Sequence, residues 1–287
     1  YQTTLSINTL DGELAGKSLA GNGSFDISNT GQAFKELTLQ VGDNSLKANG
    51  KLADKSELYW ELSAPDLSQI LPDLSGAINS TGSLHGGAIT HLFDKGKSPK
   101  ISATLNAKAL RYQQYSVANA TLNLNTQSNA AIDLRLHGEG IAASVLNNAA
   151  IDLNGSGTLP QHQFDLQLRD GDKHLDLDLR GALQQIQSQY QWKTSIQRLS
   201  LNSRVSGPWQ LIGNSDLALA ANAVSLSRLC LGQDDTRVCS ELVLKDGAIR
   251  ASGLIDALPL ERFAAGLPSG SAITGQINSQ FSVAGKS

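Results

Sequence analysis

An alternation of apolar and polar residues with a period of two constrains the fold of this sequence more than any other feature. It is clearest in 164–169 (FDLQLR) and 175–180 (LDLDLR), where Leu alternates with Asp, Gln or Arg. Successive side chains of a strand point to opposite faces, so each such segment has one apolar and one solvated face. One-sided alternation favours antiparallel pairing. Segments 37–41, 122–124 and 132–136 repeat the pattern, and the sequence therefore predicts an all-β, mainly antiparallel sheet.

Turn-forming residues separate these segments. Gly42–Asn44, Arg169–Asp172 and Lys245–Gly247 each combine Gly with Asp or Asn, the residues that tolerate the positive φ of tight hairpin turns. Spacing of about one strand per 8–12 residues predicts more than twenty strands along the chain.

Two short helices are predicted, near 66–74 and 259–265. Each follows a proline, Pro65 or Pro259, and each runs towards a Leu-Pro stop and a new strand. The two prolines lie 194 positions apart (259 minus 65), which indicates a long internal repeat. We therefore expect residues 1–287 to form one continuous segment with repeat-like halves and helix-turn elements at 65–76 and 259–270.

Composition excludes several classes of protein. The 287 residues carry a net charge of -3 without a basic patch, so nucleic acid is not an expected partner. No apolar run reaches the roughly 18 residues of a membrane-spanning helix. Because the chain has no Met and starts in the middle of a pattern, we expect it to be part of a longer protein, with any anchor or export signal outside it.

The motifs of enzymes, cofactor sites and metal sites that can be sought in this sequence are incomplete. Gly-Lys-Ser occurs at Gly16, Gly96 and Gly285, each time without the earlier glycine of a phosphate-binding loop. The five histidines have no zinc-ligand spacing. Asp176 and Asp178 alternate with Leu on a solvated strand face, whereas catalytic carboxylate pairs need a desolvated member. We expect no catalytic residue, no cofactor and no metal.

The two cysteines, Cys230 and Cys239, lack the CxxC spacing of metal or redox sites. A disulfide between them, closing a short loop around 232–235, is the favoured interpretation, and two unrelated buried thiols are the alternative. A disulfide would indicate an oxidising compartment.

Three stretches resemble the TamB family of the AsmA-like superfamily, the periplasmic subunits of translocation and assembly modules. They are Tyr59–Leu67 with its continuation to Gly76, Ser206–Leu211 followed by the two cysteines, and Leu254–Phe263. The segment with the cysteines is the most specific, and the resemblance extends over essentially the whole chain.

This resemblance implies an elongated, curled sheet that forms a hydrophobic, taco-like groove. It also implies a periplasmic protein that is anchored in the inner membrane by an N-terminal helix absent from this chain. Its expected roles are phospholipid transport between the membranes and outer-membrane biogenesis. Phospholipid acyl chains are one implied partner. The other is the outer-membrane barrel TamA, which the family contacts through a part outside this chain.

The alternation supplies candidate residues for the groove lining. They are the apolar-face leucines of the cleanest strands: Leu134, Leu136, Leu166, Leu168, Leu175, Leu177 and Leu179. Each could equally be ordinary core. A lipid conduit is the leading hypothesis, because an open apolar face accepts acyl chains. The alternatives are a chaperone-like scaffold whose strand edges pair with outer-membrane β-barrel proteins, a spacer with a fully packed interior, and, more remotely, an enzyme that acts on polysaccharide.

Overall fold

A computed structural model describes residues 2–28, 31–52, 56–86, 100–127, 131–186, 189–204, 206–262 and 272–286. The chain divides into two units, an N-terminal unit over Tyr1–Leu159 and a C-terminal unit over Pro160–Ser287. Nineteen strands lie in the described residues, and every strand pairing within a unit is antiparallel. The predicted all-β, antiparallel fold is confirmed. That the whole chain forms one continuous segment stays a prediction.

The N-terminal unit is a meander of ten strands, in which each strand pairs with its neighbour in sequence. Its strands are β1 Gln2–Leu14, β2 Lys17–Ser28, β3 Gly31–Val41, β4 Asn44–Leu52, β5 Glu57–Ala64, β6 Leu74–His85, β7 Lys100–Tyr112, β8 Tyr115–Thr126, β9 Ala131–Ala143 and β10 Leu146–Thr158.

The C-terminal unit has nine strands and one interruption. Its strands are β11 Gln161–Asp170, β12 Lys173–Ile186, β13 Gln189–Ser203, β14 Gly207–Leu211, β15 Ser215–Ala220, β16 Ala223–Gln233, β17 Thr236–Lys245, β18 Ala248–Pro259 and β19 Gln276–Lys286. Strands β14 and β15 act together as one broken strand, because both pair with β13 on one side and with β16 on the other.

The prediction of more than twenty strands was too high for the described residues, since many strands reach 11–15 residues. All three predicted hairpin turns are present, at 42–43, 171–172 and 246–247. Gly42 and Gly171 have φ of 56° and 62°, and Asp246 has a φ of 49°. These are the left-handed conformations that a tight turn requires.

β-Bulges interrupt the ladders of both units. Glu36 in β3 has a φ of 48°, and its backbone N–H donates to Oδ1 of Asn49 at 3.4 Å. Ala257 in β18 has a φ of 52°, and its N–H donates to Oδ1 of Asn278 at 2.8 Å. In each bulge an asparagine of the adjacent strand satisfies the N–H that leaves the ladder. Bulges increase local strand twist, so these positions bend the sheets.

The first predicted helix is a single 3-10 turn over Leu67–Gln69, shorter than the predicted 66–74. Asp66 caps it, accepting hydrogen bonds from the N–H and the hydroxyl of Ser68 at 3.1 and 2.6 Å. Leu74 already begins β6, so the segment has no room for a longer helix. At the second predicted helix, residues 260–262 form a 3-10 turn, and 263–271 lie outside the described residues. No helix in the described parts of the chain is long and apolar enough to cross a membrane.

Candidate functional site

One face of the N-terminal unit carries a row of apolar side chains that crosses all ten strands. Its members are directly paired from strand to strand, and we call them the leucine row: Leu10, Gly21, Leu39, Leu46, Leu62, Ser80, Leu105, Leu122, Leu136 and Leu153. Only Gly21 and Ser80 interrupt the leucines. Residues at even spacing along a strand share a face, so the residues two positions away extend this apolar surface.

The side chains of this face are half-buried. Among the leucines of the row, Leu39 is 36% exposed and the others have intermediate exposure. Beside them Ala107, Leu84 and Val41 are buried, at 3, 5 and 6% exposure. Among the described residues, the larger aliphatic side chains that are buried are Val41, Leu67, Leu84 and Ile196. A packed core would bury many more Leu, Ile or Phe side chains, so the described residues place no continuous second layer over this face.

The exposure of the individual leucines leads to the same conclusion. The leucines of the row, from Leu10 to Leu153, keep part of their surface exposed in every case.

The C-terminal unit carries an equivalent apolar face. Leu166, Leu177 and Leu199 are paired across β11, β12 and β13. In the adjacent row, Leu168, Leu175 and Leu201 are paired, and Leu201 also pairs with Trp209 of β14. Farther along the strands, a third row joins Leu183, Trp192, Leu219, Val224, Leu244 and Ile249.

All seven leucines predicted to line a groove lie on these apolar faces with intermediate exposure. Leu134 and Leu136 lie on β9 of the N-terminal unit, where Leu134 pairs with Leu124 and Leu136 with Leu122. Leu166, Leu168, Leu175, Leu177 and Leu179 lie on the β11–β12 hairpin of the C-terminal unit. That they line a path for lipid stays a prediction.

Aromatic side chains cover glycines on these faces, an arrangement that sequence inspection missed. A Cβ added to Gly82 would meet the indole of Trp60 at 2.0 Å, and one added to Gly253 would meet the ring of Phe281 at 2.2 Å. Each ring therefore lies flat against the backbone of the neighbouring strand. The Trp60 indole N–H also donates to Ser80 Oγ at 3.3 Å, so the one hydroxyl in the leucine row has a partner.

A third aromatic group lies on β11–β13. The Trp192 indole N–H donates to Nε2 of the buried His162 at 2.7 Å, with Phe164 close by. His162 packs over Gly181, where an added Cβ would meet Nε2 at 3.0 Å. This histidine is thus held within the apolar face.

The opposite face of β11–β13 is charged. Asp165 and Asp178 are paired across the hairpin, and Arg198 approaches them at 3.4 and 3.0 Å. The neighbouring carboxylate of Asp178, together with partial burial, raises the pKa of Asp165. Sequence inspection had considered Asp176 with Asp178, but Asp176 bonds to Arg169 instead. These carboxylates are paired with arginines and partly solvated, so they lack the desolvation that general acid catalysis requires.

His137 lies on the solvated face of β9, between two carboxylates. Its Nδ1 is 2.6 Å from Asp152 and its Nε2 is 3.1 Å from Glu139. Hydrogen bonds to Asp152 and then to Glu139 raise the pKa of His137. No cluster of three or more metal-ligating side chains suited to a metal ion occurs in the described part of the chain.

The structure joins Cys230 and Cys239 in a disulfide, which confirms the favoured prediction. The two residues are directly paired at the end of the β16–β17 hairpin, and Cys239 is buried. The bond closes the loop that carries Gln233 and Asp234.

Beside this hairpin, Arg262 of the second 3-10 turn makes several contacts. Its guanidinium donates to Oε1 of Gln233 and to the Ser206 carbonyl oxygen, and it lies 3.7 Å from the carboxylate of Asp234. It also lies over the ring of Trp209, 5.3 Å from the ring centroid. We call this set of contacts the arginine lock.

The Leu67–Gln69 turn is attached to the β3–β4 hairpin in a different way. Asn44, which is buried, donates to the Asp66 carbonyl oxygen at 2.8 Å and accepts from the Asp66 N–H at 3.1 Å. The buried Gln69 accepts from the Asp43 N–H at 2.7 Å and donates to the Asp43 carboxylate at 2.9 Å. We call this set of contacts the amide lock.

Comparison with known proteins shows what the chain is similar to. The family described as "TamB, N-terminal domain" matches residues 1–287. The translocation and assembly module subunit TamB of Haemophilus influenzae is 23% identical over 217 residues, covering 71% of this chain and 15% of that protein. The chain thus corresponds to a small part of this relative's length. No solved structure matches the chain.

Proposed function

Because this chain belongs to the TamB family, we propose that it serves a translocation and assembly module as a non-enzymatic surface for phospholipid acyl chains. One observation carries the proposal. The leucine row crosses ten paired strands, its side chains are half-buried, and the described residues place no continuous second layer over it. An exposed apolar strip of this length is unusual for a monomer and calls for an apolar ligand.

Acyl chains suit this face chemically. Each methylene that leaves water contributes about 0.8 kcal/mol. The lining is almost entirely aliphatic, so it has few groups that would select a headgroup or hold a lipid at one point. Such a surface favours movement of lipids along it over tight storage.

The cellular setting is part of the proposal. The Cys230–Cys239 disulfide supports an oxidising compartment, as in the periplasm. Anchoring in the inner membrane and contact with the outer-membrane barrel TamA are assigned to parts of the full-length protein outside this chain. The absence of catalysis is supported by the arginine pairing of Asp165 and Asp176.

Leu177→Arg tests this function. Leu177 lies at the centre of a row with Leu166 and Leu199, so the substitution places a charge in the proposed path. Phospholipid that co-purifies with the protein is quantified by mass spectrometry, and transfer of a fluorescent phospholipid between vesicles is timed. We expect Leu177→Arg to reduce both about ten-fold or more.

The matched control is Gln184→Arg. Gln184 lies on the same strand, is exposed, and points to the opposite face, since it is an odd number of positions from Leu177. This variant should bind and transfer lipid like the unmodified protein. A protein that carries no phospholipid, or a Leu177→Arg variant that transfers it normally, would contradict the proposal. Crosslinking of unfolded outer-membrane strands to strand edges, with no lipid bound, would favour the scaffold alternative.

A further inference from the structure

The polar face of the N-terminal unit has a cavity that the lipid function does not use. Its volume is about 610 Å³, within the usual range of ligand sites. Two adjacent rows of residues supply most of its lining, one with Thr38, Lys47, Glu61, Thr81 and Thr104, and the other with Asn49, Tyr59, Ser83 and Ser102. Glu36 also lines it, as do Leu37, Ala48, Trp60 and Gly82, which lie between the two rows in sequence. On β7 only Ser102 and Thr104 take part, and both point away from the leucine row. We call this cavity the hydroxyl trough.

The dimensions of the trough indicate an extended ligand. It crosses five strands, from β3 to β7, which gives a length of about 19 Å at the usual spacing of strands. A pair of side-chain rows is narrow by comparison. A short linear chain of a few sugar rings, laid across the strands, has this shape.

The lining carries one net negative charge, since it includes Glu36, Lys47 and Glu61. Lys47 and Glu61 are directly paired across β4 and β5, so their charges offset each other and that of Glu36 remains. Neither side chain has a hydrogen bond or ion pair to another described residue, and both are exposed. An acceptor and a donor are therefore available side by side, an arrangement that suits the vicinal hydroxyls of a sugar.

Hydroxyl and amide groups surround this pair. Thr81 and Thr104 are linked through their hydroxyls at 2.9 Å, and Ser102 donates to Asn125 at 2.9 Å. The side-chain oxygen of Asn49 accepts a hydrogen bond from the backbone N–H of Glu36 at the β3 bulge. The side-chain NH₂ group of Asn49 takes no part in this bond. Fixed donors and acceptors of this kind recognise a ligand at low entropic cost.

Tyr59 supplies an apolar surface within the trough. Tyr59 is 52% exposed. Interaction with Glu57 raises the pKa of Tyr59. Sugars combine hydroxyl edges with apolar C–H faces, and an exposed ring beside hydrogen-bonding groups complements both.

We propose that the hydroxyl trough binds a neutral oligosaccharide, with one sugar face on the Tyr59 ring and its hydroxyls bonded to Glu61, Lys47 and Asn49. This site is independent of the lipid-binding face, because it lies on the other side of the sheet.

The C-terminal unit provides an internal comparison. A cavity of about 600 Å³ on β15–β19 is also lined by serines, by the carboxylates of Asp216 and Glu241, and by the cation of Arg250. It has no aromatic residue, and Ser252 already donates to Glu241 at 2.7 Å. We expect it to bind sugars much more weakly than the trough.

Calorimetric titration of the whole chain with cellotetraose and chitotetraose tests the proposal. We expect saturable binding of at least one of them, weakened about ten-fold by Tyr59→Ala, which corresponds to the loss of one aromatic contact. Glu61→Gln should also weaken binding. Tyr59→Phe should retain it, because the ring provides the contact.

Tyr190→Ala is the matched control, since Tyr190 is 45% exposed and lies outside the trough. Circular dichroism checks that each variant is folded, and we expect no change for these exposed positions. The proposal is overturned if neither sugar binds, or if binding is unaffected by Tyr59→Ala. It is also overturned if glycerophosphoethanolamine binds at the trough in place of the sugars.

Discussion

The amide lock and the arginine lock attach similar 3-10 turns to similar hairpins, but by different chemistry. In the N-terminal unit, Asn44 and Gln69 are buried and neutral, and their hydrogen bonds reach the backbone of the turn and of the hairpin. In the C-terminal unit, Arg262 is partly exposed and charged, and its hairpin is closed by a disulfide. Buried amides depend on complete hydrogen bonding, whereas the arginine depends on charge and ring contact. The two locks should therefore respond differently to substitution, reductant, salt and acid.

The largest effect is expected from Asn44→Ala. It leaves the N–H and carbonyl of Asp66 and the carbonyl of Val41 without their side-chain partner in a buried setting. We expect a loss of about 3 kcal/mol in the free energy of unfolding, measured by urea denaturation. Asn123→Ala, at an exposed position on β8, should change stability by less than about 0.5 kcal/mol. A similar small change for Asn44→Ala would show that the amide lock adds little.

Removal of the disulfide should cause the second-largest loss of stability. The Cys230→Ala/Cys239→Ala double variant should lose at most about 2–3 kcal/mol, since the closed loop is short. Reductant should lower the melting temperature of the unmodified protein and leave that of the double variant unchanged. In the double variant, the rate of amide hydrogen exchange should rise at β16–β17. An equal rise at β3–β4 would show that the disulfide does not act locally.

Arg262→Ala should have a smaller effect, about 1 kcal/mol, because the Asp234 contact is exposed and the ring contact is modest. The decisive measurement is its dependence on salt. The difference in the free energy of unfolding between Arg262→Ala and the parent should shrink from low to high salt. The corresponding difference for Asn44→Ala should stay constant. Arg262→Lys is the control that keeps the charge, and it should retain part of the stability.

The smallest effect on stability is expected from protonation of Asp66 in the amide lock at acidic pH. Hydrogen bonds from Ser68 lower the pKa of Asp66 below its ordinary value of 3.8. Because the pKa is lower in the folded protein, the carboxylate stabilises the fold at pH values above the pKa of the unfolded chain. This contribution is lost as the pH falls through the pKa of the folded protein. Asp66→Asn should therefore melt earlier than the parent near neutral pH, and the two curves should converge below about pH 3.8. Curves that remain parallel in acid would exclude this contribution.

Sequence inspection predicted the strands with the cleanest alternation and the turns between them, because period and turn chemistry are local. It placed Leu166, Leu168, Leu175, Leu177 and Leu179 on one face, and their pairing across the β11–β12 hairpin agrees with this. It missed the amide lock, whose partners Asn44 and Gln69 lie 25 positions apart in unremarkable polar surroundings. It also overestimated the number of strands, since a bulge within a long strand interrupts the alternation much as a turn does.

The sequence alone determined the all-β class and the two faces of the strands with the cleanest alternation, because both depend on residues close in sequence. It favoured the cysteine pair without excluding two separate thiols. Only the tertiary structure decided which strands β13 meets, since its two halves pair separately with β14 and β15. It also decided that Trp60 covers Gly82 and that the leucine row stays half-exposed. Coverage of a face depends on elements distant in sequence, and the period of a strand carries no information about them.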